Sequence, residues 1–220
     1  VISRQLETKM SDAEFRKIEN EADNLWDKFY DIHNDKFYKD RHWLFTEFPE
    51  LTFDNQKEET DETTRVIFEV GCGVGNTIFP ILQMNTDSKL CIYCCDFSET
   101  AINILKENEA YDGRCTAFVC DLTNEDWNLP FTPSSVDLIL MIYVLSSIRP
   151  DKMKSILSKL MEYLKPGGKI LFRDYGRYDL SQLRFKGERC ISENFYVRGE
   201  GTFVYFFDKD EVAKMFTECG

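Results

Sequence analysis

The sequence predicts an α/β protein built on a doubly wound, mostly parallel sheet. From residue 65 onward, short apolar runs alternate with helical stretches, which is typical of parallel strands covered by helices on both faces. A glycine-rich turn directly follows the first apolar run, and such turns mark the ligand-binding edge of this type of fold. Right-handed crossovers between successive strands would then give a Rossmann-like arrangement.

Five apolar runs are the predicted strands, and they cover residues 66–70, 90–95, 115–120, 136–145 and 169–174. Helices are predicted near residues 76–84, 98–109, 151–164 and 208–216. The sequence Lys165-Pro166-Gly167-Gly168 follows the third of these helices, and we expect its proline and glycines to end that helix.

An N-terminal helical segment, residues 1–51, precedes the sheet. Ser11 and Glu14 have the spacing of a capping box, and apolar residues then recur at intervals of three and four, which predicts one long amphipathic helix. These apolar residues are Phe15, Ile18, Ala22, Leu25, Phe29 and Ile32. Residues 52–64 are polar and acidic, so we interpret them as a surface linker to the main domain, residues 65–220.

Composition limits the class of protein. With 220 residues, of which 43% are hydrophobic, the chain can bury a sizeable core. No apolar stretch approaches the roughly 18 residues of a membrane span, and the eight cysteines lack a repeated metal-binding spacing. We therefore expect a soluble cytoplasmic protein with reduced thiols and no metal. Because the chain begins with Val1 and not Met, a targeting segment could have been removed, and a mitochondrial or nuclear location is the alternative to the cytoplasm.

The glycine-rich turn reads Glu69-Val70-Gly71-Cys72-Gly73-Val74-Gly75-Asn76. Its third glycine comes one position earlier than in the nicotinamide-dinucleotide fingerprint, so the spacing disfavours that cofactor. Asp96, at the end of the second strand, can accept hydrogen bonds from both hydroxyls of an adenosine ribose. Asp121-Leu122, after the third strand, can hold an adenine edge. Taken singly, the turn could lack a ligand and Asp96 could be a helix cap, but three matching strand ends disfavour these alternatives.

Together these features resemble the class I methyltransferase fold, which binds S-adenosylmethionine and releases S-adenosylhomocysteine. The resemblance covers residues 65–174, and it implies a cofactor site lined by Glu69, Gly71, Gly73, Gly75, Asp96, Asp121, Leu122 and Ile142. After the fourth strand, the Asn/Asp-Pro-Pro-Tyr motif of exocyclic-amine methyltransferases is replaced by Ile142-Tyr143-Val144-Leu145-Ser146-Ser147. A different nucleophile is therefore implied.

Four longer blocks resemble one family within this fold. They are Trp26-Asp27-Lys28-Phe29-Tyr30, Phe37-Tyr38-Lys39-Asp40-Arg41-His42-Trp43, Phe172-Arg173-Asp174-Tyr175-Gly176-Arg177-Tyr178-Asp179 and Glu193-Asn194-Phe195-Tyr196-Val197-Arg198-Gly199-Glu200-Gly201-Thr202. With the glycine turn, they resemble the tRNA N3-methylcytidine methyltransferases, which act at position 32 of the anticodon loop. Two shorter stretches, residues 45–51 and 93–97, look most like the branch that acts on threonine and certain arginine tRNAs.

The resemblance also implies how the chain is organised. The N-terminal segment should fold over the cofactor and contact it through Trp26 and Tyr30, although these two could instead widen the apolar face of their helix. A substrate-side insertion is expected at about residues 175–207. Members of the family continue past the last helix into two more strands, whereas this sequence stops at Gly220, so either the sequence is truncated or the sheet edge is left unfinished and is covered by something else.

Asp174 and Tyr175 are the candidate catalytic residues. Cytosine N3 has a lone pair and needs no general base, so positioning of the base should dominate catalysis. Methylation makes the base cationic, and a carboxylate from Asp174 would stabilise that charge. Tyr175 or Phe195 would stack on the base. The structural alternative is that Arg173 and Asp174 form an internal ion pair or stabilise a turn.

The expected partners are tRNA, through its anticodon stem-loop, and a tRNA-binding helper protein. A helper is expected because the net charge of −12 disfavours binding through overall attraction to phosphate. The residues expected to contact substrate are Lys39, Arg41, Arg177, Phe195, Tyr196 and Arg198, with further basic residues at Arg184, Lys186 and Arg189 and interleaved aromatic residues at Phe37, Tyr38, Trp43 and Phe185. Ordinary surface charge is the alternative for each basic residue. A methyltransferase acting on a protein or small molecule and a catalytically silent scaffold are the alternatives for the whole chain.

Overall fold

The computed structural model describes residues 1–20, 22–34, 39–52 and 64–220. The helices are α1 (Ile2–Glu7), α2 (Asp12–Asn20), α3 (Ala22–His33), α4 (Leu44–Glu47), α5 (Ile78–Met84), α6 (Glu99–Glu107), α7 (Pro150–Met161), α8 (Leu180–Arg184) and α9 (Lys209–Cys219). The strands are β1 (Arg65–Val70), β2 (Leu90–Asp96), β3 (Cys115–Val119), β4 (Val136–Ile142), β5 (Leu164–Arg173), β6 (Cys190–Ser192), β7 (Phe195–Val197) and β8 (Phe203–Tyr205).

The predicted Rossmann-like sheet is confirmed. Its five strands lie in the order β3-β2-β1-β4-β5, with β1 parallel to both β2 and β4 and β2 parallel to β3. Helices cover both faces of such a sheet, which is why the apolar runs of its central strands are almost continuous. The register sets Val70 opposite both Cys95 and Met141, so β1, β2 and β4 end at the same edge.

The prediction that Lys165-Pro166-Gly167-Gly168 ends a helix is wrong. Helix α7 ends earlier, at Met161, and these four residues lie in β5. Strand β5 is last in the sheet order, where a proline without an N–H group is tolerated. A Cβ on Gly168 would lie 3.1 Å from the carbonyl oxygen of Asp137 in β4, so glycine allows a close approach of the two strands here. The fourth predicted strand is also too long, since residues Leu145–Ser147 form a 3-10 helix.

The N-terminal segment contains the predicted capping box. The Ser11 N–H and Oγ both donate to Glu14 Oε2, at 3.1 and 2.6 Å, and the Glu14 N–H donates to Ser11 Oγ at 3.4 Å. Helix α2 begins here and α3 follows it. The prediction of one continuous helix passes through residue 21, which lies outside the described residues, as do residues 53–63 of the predicted linker and residues 35–38.

The chain divides into two units. The sheet unit comprises Tyr30–Met141 and Glu162–Leu171, and the terminal unit comprises Val1–Phe29, Ile142–Met161 and Phe172–Gly220. In the terminal unit, β6, β7 and β8 form an antiparallel sheet. Its core contains the fully buried Tyr196 and Phe206, and α1 contributes Leu6 to the same cluster. The predicted domain boundaries at residues 51 and 64 stay a prediction. Among the helices described, none has the length and apolar character needed to cross a membrane.

Candidate active site

The glycine turn after β1 is built from backbone that only glycine adopts readily. Gly71, Gly73 and Gly75 have φ angles of 62°, 52° and 94°. The Gly75 N–H donates to the Cys72 carbonyl at 3.0 Å, and the Cys72 N–H donates to the Cys95 carbonyl at 2.9 Å, which fixes the turn against β2. Tyr30 packs so closely on the turn that a Cβ on Gly73 would lie 2.7 Å from its Oη. The turn therefore has no room for side chains at this glycine.

Asp96 organises the turn from the end of β2. Its Oδ2 accepts a hydrogen bond from the Gly73 N–H at 2.9 Å, and its Oδ1 accepts one from the Ser98 N–H at 3.0 Å. The N-cap of α6 is Ser98, whose Oγ accepts from the Ala101 N–H at 3.1 Å. The helix-cap alternative for Asp96 is therefore not needed, because Ser98 supplies the cap. Asp96 is 7% exposed, so it is buried at the end of β2.

Asp121 and Leu122 follow β3 at the same edge of the sheet unit. Asp121 Oδ1 accepts from both the N–H and the Oγ1 of Thr123, each at 2.8 Å, so the carboxylate shapes a local turn. Leu122 is 8% exposed and offers an apolar surface beside this turn. The Cys120 N–H donates to the Asp96 carbonyl at 2.9 Å, which ties the two strand ends together.

Glu69 is a fully buried carboxyl group inside the turn, with 0% exposure. Neither of its oxygens has a hydrogen-bond partner among the described residues. Burial raises its pKa to about 8, and the nearby Arg41 guanidinium and Thr77 hydroxyl oppose this shift. The Nη1 of Arg41 lies 3.9 Å from Glu69 Oε1 and donates to Thr77 Oγ1 at 2.9 Å. The structure thus places Arg41 at the glycine turn, with only 16% of its side chain exposed, and its predicted phosphate contact is not supported by this position.

The remaining predicted cofactor residues lie in different environments. Tyr30 is 6% exposed and packs on the glycine turn, whereas Trp26 is half-buried with its ring 5.5 Å from that of Phe29. Ile142 ends β4 and is 1% exposed. Lys39, predicted to contact substrate, is exposed. The contacts of Trp26 and Ile142 with a cofactor stay predictions.

Asp174, directly after β5, is held by backbone donors. Its Oδ2 accepts from the Ser146 N–H and its Oδ1 accepts from the Tyr175 N–H, both at 2.9 Å. Burial raises the pKa of Asp174 to about 6, while these hydrogen bonds and the charge of Arg198 oppose the shift. Arg173 donates instead to Tyr143 Oη at 3.2 Å. The carboxylate is therefore oriented by two backbone N–H groups, which fits the turn-stabilising alternative, and its contact with the base stays a prediction.

Tyr175 is half-buried beside this carboxylate. Its ring centroid lies 5.0 Å from that of Tyr143, and the Arg198 guanidinium lies 5.4 Å from the Tyr175 centroid. Arg198 is itself fixed, since its Nη1 donates to the Phe203 carbonyl at 2.9 Å. Burial is the main cause that raises the pKa of the Tyr175 hydroxyl. The structure thus brings Asp174, Tyr175 and Arg198 together, and their role in binding substrate stays a prediction.

Phe195 and Tyr196 lie in the core of the terminal unit. Phe195 is 3% exposed, and its ring lies 5.3 Å from that of Phe203. Tyr196 is 0% exposed, and its ring lies 4.9 Å from that of Phe185. These positions do not support their predicted contact with substrate, because neither residue presents a ring face to solvent. The aromatic rings of Phe195 and Tyr196, which suggested stacking on a base, pack in the core of the terminal unit.

Two residues that sequence reasoning missed complete the site. Ser146 supplies a backbone N–H to Asp174 Oδ2 at 2.9 Å. Tyr143 has a left-handed φ of 60° that turns the chain at the end of β4. Both lie in the stretch that lacks the Asn/Asp-Pro-Pro-Tyr motif. Only the position of this stretch, directly after the fourth strand, could have marked them as site residues, because their residue types form no known motif.

Comparison with known proteins places these features in a family. A family model described as "Methyltransferase domain" matches residues 68–170. The tRNA N(3)-cytidine methyltransferase METTL2 of Xenopus tropicalis is 50% identical, with 93% of this chain and 69% of that protein covered. The tRNA N(3)-methylcytidine methyltransferase Mettl2 of Drosophila melanogaster is 49% identical, with 100% and 67% covered. The human tRNA N(3)-cytidine methyltransferase METTL6 is 45% identical, with 97% and 74% covered.

Solved structures share the fold at low sequence identity. Phosphoethanolamine N-methyltransferase 1 of Haemonchus contortus has a TM-score of 0.61 at 18% identity, with 87% of this chain and 38% of that chain covered. The PH0226 protein of Pyrococcus horikoshii OT3 has a TM-score of 0.60 at 18% identity, with 87% and 88% covered. These likenesses establish the methyltransferase-type fold, and the three more similar relatives establish the family. The chain belongs to the tRNA N(3)-cytidine methyltransferases.

Proposed function

We propose that this protein transfers a methyl group from S-adenosylmethionine to N3 of a cytidine in tRNA and so forms 3-methylcytidine. The observation that carries the proposal is the 50% identity to a tRNA N(3)-cytidine methyltransferase over 93% of the chain. We further propose that the target is position 32 of the anticodon loop and that threonine and certain arginine tRNAs are the substrates.

The residues of the glycine turn fit this cofactor. The Glu69 oxygens lack hydrogen-bond partners among the described residues and would accept from an ammonium group, while the half-buried Arg41 guanidinium would attract a carboxylate. These are the two charged groups of a methionine moiety. When bound, S-adenosylmethionine supplies an electrophilic methyl group. The glycines leave bare backbone that this ligand could approach, and Tyr30 packs against Gly73.

The residues around Asp174 fit a base that becomes cationic. Cytosine N3 attacks with its own lone pair, so the protein has to place the base and to stabilise the charge that develops on it. Asp174 is suited to the second task because two backbone N–H groups fix its orientation before the base arrives. The half-buried ring of Tyr175 offers a stacking surface beside it. Proximity and electrostatic preorganisation are therefore the proposed sources of catalysis.

A tRNA-binding helper protein is part of the proposal. The net charge of −12 repels a polyanion, although screening restricts this repulsion to roughly 8 Å at physiological salt. Local contacts can hold a docked loop, but the encounter lacks electrostatic steering. A helper that carries the tRNA would raise its effective concentration at the site.

Nucleoside mass spectrometry tests the proposal. Unmodified threonine, arginine and serine tRNAs are incubated with the protein and isotopically labelled S-adenosylmethionine, alone and with a tRNA-binding protein. We expect label in 3-methylcytidine of threonine and arginine tRNA, and we expect the rate to rise with the helper. Asp174→Asn is the control for methylation that does not use this site. Label in protein or small molecules but in no tRNA would refute the proposed substrate.

A further inference from the structure

Tyr178 is an exposed aromatic residue in an unfavourable backbone conformation. Its φ is 69°, in the left-handed region that residues with a bulky side chain rarely adopt. Its surface is 61% exposed, so packing of its ring into a core does not compensate for this conformation. Strained residues that the surrounding structure enforces are concentrated at ligand-binding and catalytic positions.

A buried polar network holds Tyr178 in this conformation. The Tyr178 N–H donates to Gln182 Oε1 at 2.6 Å, and Gln182 is 0% exposed. The Gln182 Nε2 donates to Asn194 Oδ1 at 3.1 Å, and its backbone carbonyl accepts from Gln5 Nε2 at 3.2 Å. Tyr196 Oη in turn donates to Gln5 Oε1 at 2.9 Å. A buried amide with satisfied partners is a rigid support, so the Tyr178 backbone is fixed from inside the terminal unit.

Arg177 places a positive charge over the Tyr178 ring. Its guanidinium lies 5.0 Å from the ring centroid, within the range of a cation–π interaction. Its Nη2 donates to Glu193 Oε1 at 2.8 Å, and its backbone N–H donates to the Phe207 carbonyl at 2.7 Å. The ring and the guanidinium therefore form a preorganised pair at the surface.

The position of this pair relates it to the candidate substrate site. Tyr178 lies four residues after Asp174, so the two Cα atoms are at most about 14 Å apart. Arg184 and Lys186 follow on the same segment and are exposed. Residues 177–186 carry three cations and one acidic residue, so this segment of a chain with a net charge of −12 is locally positive and can attract phosphate.

We infer that Tyr178 and Arg177 form a stacking site for an unpaired nucleotide that neighbours the target cytidine in the anticodon loop. Single-stranded RNA is bound by stacking of bases on aromatic rings and guanidinium planes, with nearby cations on the backbone. Tyr178 is thus a positioning residue, because it fixes the strand next to the reacting base without touching that base. The inference rests on the proposed function, since it takes tRNA as the ligand.

The test measures binding of a fluorescent anticodon stem-loop RNA to the full chain by anisotropy. Tyr178→Ala should weaken binding about 5- to 100-fold, the range expected for one base stacked on an aromatic ring. Tyr178→Phe should bind like the wild type because it keeps the ring. Tyr178→Gly should bind as weakly as Tyr178→Ala although glycine relieves the backbone strain, which separates loss of the ring from loss of folding. Leu180→Ala, an exposed apolar side chain on the same segment, is the matched control and should bind normally.

A second RNA, with an abasic site beside the target cytidine, should bind the wild type and Tyr178→Ala equally. Wild-type affinity for the intact stem-loop in both Tyr178→Ala and Tyr178→Gly would overturn the inference, and it is also the result expected if the pair contacts a protein. Failure of the proposed function gives a different pattern, in which the wild type forms no 3-methylcytidine while the Tyr178 variants still lose RNA binding.

Discussion

The phenolic oxygen of Tyr30 lies 2.7 Å from the position that a Cβ on Gly73 would occupy. Tyr30 comes from α3, so a residue from the N-terminal segment completes the turn that follows β1. The predicted role of Tyr30 at the cofactor site agrees with this contact, because the ring reaches the backbone that the ligand would approach.

Gly73→Ala should lower the free energy of unfolding by about 1–3 kcal/mol, because it combines a φ of 52° with the contact to Tyr30 Oη. In a Tyr30→Phe background the same substitution should cost less, since the next Tyr30 atom is 3.5 Å away, but the backbone strain remains. Urea unfolding of the four proteins measures this difference. Strictly additive effects would show that the two residues do not interact.

Asp96→Ala should weaken binding of S-adenosylhomocysteine by at least about tenfold, as measured by calorimetric titration. The substitution leaves the buried Gly73 N–H without its acceptor, which costs about 1–3 kcal/mol, and it removes the carboxylate predicted for the ribose. Asp87→Ala, an exposed turn aspartate that accepts from the Lys89 N–H, is the control and should bind normally. Unchanged affinity in Asp96→Ala would exclude Asp96 from the site.

Arg41→Ala should weaken cofactor binding and leave the affinity for tRNA unchanged. The reason is its position, since Arg41 lies beside Glu69 and Thr77 and not among exposed cations. Lys39→Ala, two residues earlier and exposed, is the control and should leave cofactor binding unchanged. Titration of both variants with S-adenosylhomocysteine and with stem-loop RNA separates the roles. If Arg41→Ala loses RNA affinity alone, the phosphate contact suggested by the sequence is correct.

Asp174→Asn should change the pH dependence of both stability and rate. The folded pKa of about 6 lies above the ordinary 3.8, so the folded protein binds this proton more tightly than the unfolded chain. Wild-type stability should therefore fall by up to about 3 kcal/mol as pH rises from about 4 to 6, and the variant should lack this loss.

The rate should show the opposite dependence on pH. Methyl transfer needs the ionised carboxylate, so the wild-type rate should rise through about pH 6 and then level off. Asp174→Asn should be slower by about 100-fold without this step, because an amide cannot stabilise a developing cation as a carboxylate does. Single-turnover kinetics from pH 5 to 8 measures both. If the rise in rate near pH 6 persists unchanged in the variant, a group other than Asp174 causes it.

The sheet and the cofactor turn were accessible from the sequence because their signals are local. Apolar runs mark parallel strands, and the spacing of Gly71, Gly73 and Gly75 reports backbone with positive φ. The misplaced end of α7 shows the limit of such signals. Pro166 and Gly168 suggest a helix stop, yet both lie in β5, where Gly168 closely approaches the Asp137 carbonyl of β4, a contact that the local sequence does not reveal.

The substrate side was less predictable because it depends on contacts distant in sequence. Ser146 and Asp174 are joined across 28 positions by a backbone N–H, which leaves no trace in side-chain type. Phe195 shows the converse, since an aromatic residue could stack on a base or fill a core, and only the structure shows that this one is buried. Arg41 was similarly grouped with the basic residues expected to contact phosphate, whereas in the structure its guanidinium lies beside the buried Glu69.

The two units are completed at different times during synthesis. The sheet unit needs residues up to Leu171, whereas the terminal unit gathers Val1–Phe29 with segments that follow Ile142 and Phe172. The bond between Gln5 and Gln182 closes a loop of 177 positions, and contacts of such long range form slowly. Helix α1 can therefore pack against its partners only after most of the chain has left the ribosome. Until then we expect it to be exposed to chaperones and proteases.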